Sequence, residues 1–144
     1  MSLKTQYDNG NIFAKIIRGD IPSTKIFEDD NILAFMDAFP QSLGHCLVIH
    51  KTATATNILD IETADLNKVT SAVQKLARAV NAALQPDGIR VAQFNGAPAG
   101  QTVFHLHFHI IPIYENMDTS QHGESKASDP EMLQATAERI HQAL

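Results

Sequence analysis

From Val103 to Ile111 the chain alternates strictly: Phe104, Leu106, Phe108 and Ile110 are apolar, and between them stand His105, His107 and His109. A period of two is the period of an extended backbone, so the spacing predicts a strand over 103–111 with one apolar face and one imidazole face. The apolar face supplies core. The imidazole face must be either wet or a site, because each buried imidazole keeps two ring nitrogens that need partners.

Such a strand needs a sheet and a cover, and both are legible. Leu66, Val69, Val73, Leu76, Val80 and Leu84 recur at three- and four-residue steps between Glu62 and Leu84, which predicts an amphipathic helix. Pro86-Asp87-Gly88 ends it, and Ile89–Asn95 reads as the next strand, followed by a GAPAG loop. Upstream, 12–18 predicts a short helix or turn, and KIFED and NILAFMD predict a hairpin around Asp29-Asp30-Asn31. His45–His50 is a further strand, with Cys46, Val48 and His50 on one face and His45, Leu47 and Ile49 on the other. Polar 115–128 reads as an exposed loop, and 129–144 as a last helix capped by Asp129, with Pro130 in its first turn and Leu133, Ala137, Ile140 and Leu144 on its docking face. The expected fold is α+β, an antiparallel sheet with a long connecting helix, in a single domain over 1–144.

Charge narrows the partners. Eleven basic and 16 acidic side chains give a net charge of -5, which argues against a general nucleic-acid binder. Lone Cys46 has no partner for an intrachain disulfide, the N-terminal stretch lacks the apolar run of a signal peptide, and no apolar stretch approaches membrane-spanning length. The expectation is a cytoplasmic protein with no membrane partner.

The histidine row leaves two chemistries open. His-x-His on a strand can supply two ligands to zinc or iron, but the outer two of three lie about 13 Å apart by backbone rise and cannot easily share one ion. A row of imidazoles can instead donate to phosphate, with one ring acting as nucleophile and another as proton donor.

HLHFHII, His105–Ile111, resembles the motif of the histidine-triad nucleotide-binding family, three histidines alternating with hydrophobic residues. IFAKIIRGDIPSTKIFEDDNILAFMDAFPQSLGHCLVI is similar to that family's N-terminal half, so the resemblance spans most of 11–112. It implies a homodimer that binds purine nucleotides and hydrolyses bonds to the α-phosphate without a cofactor. By resemblance His107 is the nucleophile, His109 contacts the phosphate and leaving group, and His105 and His45 complete the catalytic set. Asp37 matches the ribose-binding carboxylate; Phe13, Ile16, Ile21 and Phe35 match the wall around the base; Asn95, Gly100, Gln101, Thr102 and Val103 match the segment that contacts phosphates.

Two positions depart from the pattern. Zinc-containing members carry a Cys-x-x-Cys pair where this chain has Asn11 and Ala14, so no metal is expected. His50 stands where proline is usual, and no catalytic role is assigned to it. IIRGDIPSTKIFEDD resembles the purine nucleoside phosphoramidase branch more than the branch that cleaves dinucleoside polyphosphates. Dinucleoside polyphosphate hydrolysis is the alternative enzyme reading, and a nucleotide-binding regulatory protein with incidental activity is the alternative outside catalysis.

Overall fold

A computed structural model describes residue 3, residues 6–115 and residues 127–144. Helix α1 (Ile12–Arg18) is followed by strands β1 (Lys25–Glu28), β2 (Ile32–Met36) and β3 (Cys46–His50). The long helix α2 (Thr63–Leu84) then leads to β4 (Gly88–Ala92), a single 3-10 turn at Ala97–Ala99, β5 (His107–Ile113) and α3 (Pro130–Gln142). The strands form one sheet in the order β1-β2-β3-β5-β4, and every neighbouring pair is antiparallel. This is the α+β architecture that the sequence predicts.

Strand alternation divides the core in two. Ala34 and Met36 of β2, Cys46 and Val48 of β3 and Ile110 of β5 pack with the stripe of α2 (Val69, Val73, Leu76, Val80) and with Leu133, Ala137 and Ile140 of α3. On the opposite face Leu33, Phe35, Leu47 and Ile49 pack under Phe13 and Ile16 of α1. Register decides which face β5 lends to each: Phe108 lies opposite Val48, whereas His107 lies opposite Ile49 and His109 opposite Leu47. The histidines therefore share the α1 face. Helices α2 and α3 seal the other side.

The helix ends follow their local chemistry. Asn11 caps α1 by accepting from the Ala14 N–H, and Asp129 caps α3 by accepting from the Glu131 N–H. Leu84 is the last residue of α2, and Gln85 takes the left-handed conformation that ends it.

Several boundaries differ from expectation. Strand β5 starts at His107 rather than Val103, because Val103–His105 form a bend, and it continues to Ile113. Strand β4 stops at Ala92, three residues before Asn95, whose side chain is engaged with a neighbouring loop instead. Leu144 is 40% exposed and takes no part in the face by which α3 docks. Of the loop expected over 115–128, residues 116–126 lie outside the described residues. Among the described residues no helix is long and apolar enough to cross a membrane.

Candidate active site

Four histidines converge at one end of the α1 face, and all are buried: His45 is 1% exposed, His105 2%, His107 5% and His109 1%. Three arrive from β5 and the bend before it. His45 comes from the turn before β3, where Gly44 has φ of +93° and a side chain would run into Leu84 and lie 3.2 Å from Pro112 Cγ. Only glycine lets that turn sit so close to α2 and β5. Asp37 extends β2 by one residue, and its N–H donates to the His45 carbonyl at 3.0 Å.

Neighbouring groups that can only donate or only accept fix where each ring carries its proton. His107 Nδ1 lies 2.7 Å from the His105 carbonyl oxygen, so it bears the hydrogen, and the neutral ring keeps a lone pair on Nε2. The Gln41 backbone N–H donates to His45 Nδ1 at 3.0 Å, which places the His45 proton on Nε2. That Nε2–H faces His109 Nδ1 at 3.0 Å and Asp37 Oδ2 at 3.4 Å. Donating to His109 leaves the proton of His109 on its own Nε2. The rings of His107 and His109 meet edge to face with centroids 4.9 Å apart, so a ring with a lone pair on Nε2 neighbours a ring with a donor Nε2.

Charges follow from the same network. A neutral His45 gives the Asp37 carboxylate no cation to lean on, and burial raises the Asp37 carboxyl to about 6, only partly opposed by the Phe39 N–H it accepts. Burial lowers the His105 imidazole to about 4, so this ring is neutral at pH 7. Its Nε2–H donates to the His50 carbonyl at 3.1 Å, and its Nδ1 lies 2.6 Å from the Tyr7 hydroxyl.

Asp37, His45 and His109 lie close enough together to hold a metal ion, with ligand atoms within 4.8 Å of one another. Protonation argues otherwise. A ligating nitrogen must offer its lone pair, and His45 Nε2 carries a proton as long as Gln41 donates to Nδ1. The zinc position of the Cys-x-x-Cys relatives fits no better: the Asn11 oxygen is spent on the cap of α1 and Ala14 has no donor atom. Neither residue set suits a metal.

The apolar residues expected to wall the base come together: the Phe13 and Phe35 rings meet edge to face at 5.4 Å, with Ile16, Ile21 and Val103 in the same cluster. Phe13 also meets His107 edge to face at 4.8 Å, which places the apolar wall beside the lone-pair nitrogen's ring. The 95–103 segment is held in place by its own side chains. Asn95 accepts from the Ile58 N–H at 2.9 Å. Gln101 is buried, donates to the carbonyls of Thr56 and Val103, and accepts from the Gly96 N–H. Both side chains brace this segment against 56–58, while Thr102 is exposed and Gly100 closes the 3-10 turn in the left-handed conformation. Phe94 adds a ring 5.6 Å from His109.

An open cavity of about 630 Å³ on the α1 side is lined by Tyr7, Ala14, Ile17 and His105, whereas one of about 430 Å³ lies on the opposite face of the sheet, between Ile32 and the α2 residues Ala72 and Lys75. Sequence reasoning missed Tyr7, the Gln41 N–H and the His50 carbonyl. The last two are backbone groups, which any residue carries, and Tyr7 lies far from the motif with no pattern of its own.

Residues 18–116 match the HIT domain family. The chain belongs to the HIT family. Among curated HIT relatives, Protein hit of Bacillus subtilis is 45% identical over 107 residues, 74% of this chain and 73% of its own length. The adenosine 5'-monophosphoramidase hnt1 of Schizosaccharomyces pombe is 39% identical over 132 residues, 90% of this chain and 94% of its own. Among solved HIT structures, a Hit-like protein involved in cell-cycle regulation from Bartonella henselae, crystallised with an unknown ligand, superposes with a TM-score of 0.91. It is 49% identical, and the match covers 97% of this chain and 100% of that one.

Proposed function

We propose that this HIT protein is a metal-independent hydrolase of purine nucleoside 5'-phosphoramidates, acting through a nucleotidyl-histidine intermediate. The observation that carries this reading is the pair of ring states at the centre of the site: His107 Nδ1–H is held by the His105 carbonyl, leaving Nε2 as a nucleophile beside a His109 donor. The phosphoramidase activity of the fission-yeast relative supports the choice of substrate class.

The steps follow from those positions. His107 Nε2 attacks the α-phosphorus, and the phosphorus–nitrogen bond to the leaving amine breaks. His109, as the imidazolium beside the bound phosphate, gives its Nε2 proton to that nitrogen. While His109 Nδ1 is protonated, the His45 Nε2–H turns to its second acceptor, Asp37 Oδ2. Water then attacks the nucleotidyl-histidine and returns a proton to His109, which releases the nucleoside monophosphate and a neutral His107. Asp37 receives the ribose hydroxyls, and Phe13, Ile16, Ile21 and Phe35 hold the base. A homodimer and a cytoplasmic setting complete the proposal.

The deciding experiment assays chelator-treated protein against adenosine 5'-phosphoramidate and diadenosine tetraphosphate in parallel, with His107→Ala as control. Preferred turnover of the phosphoramidate, lost in the variant, is the expected result. Faster cleavage of the dinucleotide would favour the polyphosphate reaction, and nucleotide binding without turnover of either would favour a binding role.

A further inference from the structure

His105 ends a bend outside the β5 ladder, so sheet hydrogen bonds do not set the direction of its carbonyl. That carbonyl nonetheless orients His107, through the 2.7 Å bond to Nδ1. What holds the residue instead is its own ring, together with the Leu106 N–H that donates to the Ala55 carbonyl at 2.9 Å. The ring is gripped at both nitrogens, by the His50 carbonyl at Nε2 and by the Tyr7 hydroxyl at Nδ1. A carbonyl can only accept, so Nε2 bears the hydrogen and Nδ1 of the neutral ring is the acceptor. Tyr7 is therefore the donor.

The arm that delivers Tyr7 is built onto α1. Asp8 accepts from the Gly10 N–H through its side chain and from the Asn11 N–H through its carbonyl. Arg18 holds the Asn9 carbonyl at 2.8 Å, and Asn11 is the α1 cap itself. The phenol ring then packs edge to face on His105, with centroids 5.6 Å apart.

We propose that Tyr7 is a positioning residue for the triad: its hydroxyl, donating to Nδ1, pins the His105 ring against the His50 carbonyl and thereby aims the His105 carbonyl that fixes His107. The contacts of Tyr7 run to His105, through its hydroxyl and its ring. Tyr7 acts one residue further back. Without the hydroxyl, His105 Nδ1 loses its donor and the ring is held at Nε2 alone, so it turns about its side-chain torsions and the His105 carbonyl shifts with it. Desolvation, which already disfavours a charged His105, prevents protonation from substituting for the lost donor near pH 7.

The test is Tyr7→Phe, which keeps the ring and removes only the donor. Long-range proton–nitrogen NMR of nitrogen-15-labelled protein reads the tautomers of His105 and His107, with signals assigned through His105→Asn and His107→Asn. Expected is a wild-type His105 with its proton on Nε2, a Tyr7→Phe His105 whose Nδ1 signal shifts as its hydrogen bond is lost, and a changed Nδ1–H signal at His107. In the phosphoramidate assay the variant should lose about three- to tenfold in kcat, the usual effect of one hydrogen bond, with KM within about twofold of wild type. Unchanged ring signals in a folded Tyr7→Phe protein would overturn the proposal, as would changed signals with full kcat. Only the kinetic arm rests on the phosphoramidase reading; wild-type protein inactive on the phosphoramidate would refute that reading, while the ring signals still decide the role of Tyr7.

Discussion

His107 donates from Nδ1 to the carbonyl oxygen of His105 across 2.7 Å, a bond between two members of the same triad. It makes their roles unequal. One residue supplies a backbone acceptor and the other supplies the lone pair on Nε2 that the chemistry needs. Replacing His107 by alanine should lower phosphoramidate turnover by roughly a thousandfold or more while leaving nucleoside monophosphate affinity within a few fold, because the apolar wall and Asp37 remain. Single-turnover kinetics beside calorimetric binding checks this, and equal turnover by the two proteins would sink the nucleophile assignment.

The Gln41 N–H and His45 form the second decisive pair. By holding Nδ1 as an acceptor, this bond keeps a proton on the nitrogen that a metal at Asp37, His45 and His109 would need. Elemental analysis of protein purified in zinc-supplemented medium should therefore find well under one zinc per chain, and chelation should leave turnover unchanged. A stoichiometric ion lost together with activity would contradict both the protonation argument and the metal-free mechanism.

Much of this was readable in advance and some was not. Alternation along β5 placed His107 and His109 on one face, and the spacing from Leu66 to Leu84 placed the covering helix, because both periods are set by backbone geometry. The same alternation extended the strand wrongly to Val103. A period of two is kept by any extended segment, and only the ladder distinguishes a strand from the bend that His105 ends. The side chains of Gln101 and Asn95 brace 56–58, a long-range pairing that no local spacing encodes. His45 entered the catalytic set only through the family resemblance, since 64 residues of sequence separate it from His109.

Gly44 offers a test of that turn. Its φ of +93° and the closeness of Leu84 and Pro112 leave no room for a methyl group. Gly44→Ala should cost about 2–4 kcal/mol, combining left-handed strain with overpacking, and should displace His45. Urea unfolding measures the first effect, and loss of kcat beyond the loss of folded protein measures the second. A loss of stability under about 0.5 kcal/mol would show that the turn relaxes freely.

The pH dependence of stability separates two buried groups that act in opposite directions. Asp37 titrates near 6 in the folded protein against 3.8 in a model carboxylate, so between those values the folded state holds a proton that the unfolded chain has released. By linkage its contribution weakens the fold as pH rises through that window, and the penalty is complete above it. His105 does the reverse: lowered to about 4 from 6.5, it leaves the folded state with fewer protons than the unfolded one, so stability rises with pH over that range. The two slopes largely oppose each other in the wild type. Asp37→Asn removes only the first, so relative to wild type the variant should gain about 2 kcal/mol on going from pH 4 to pH 7. Urea unfolding of both proteins at the two pH values measures the difference directly. A variant that tracks the wild type at both would mean that Asp37 is ionised in the fold at pH 5, and that a charge or donor on its His45 side outweighs its burial.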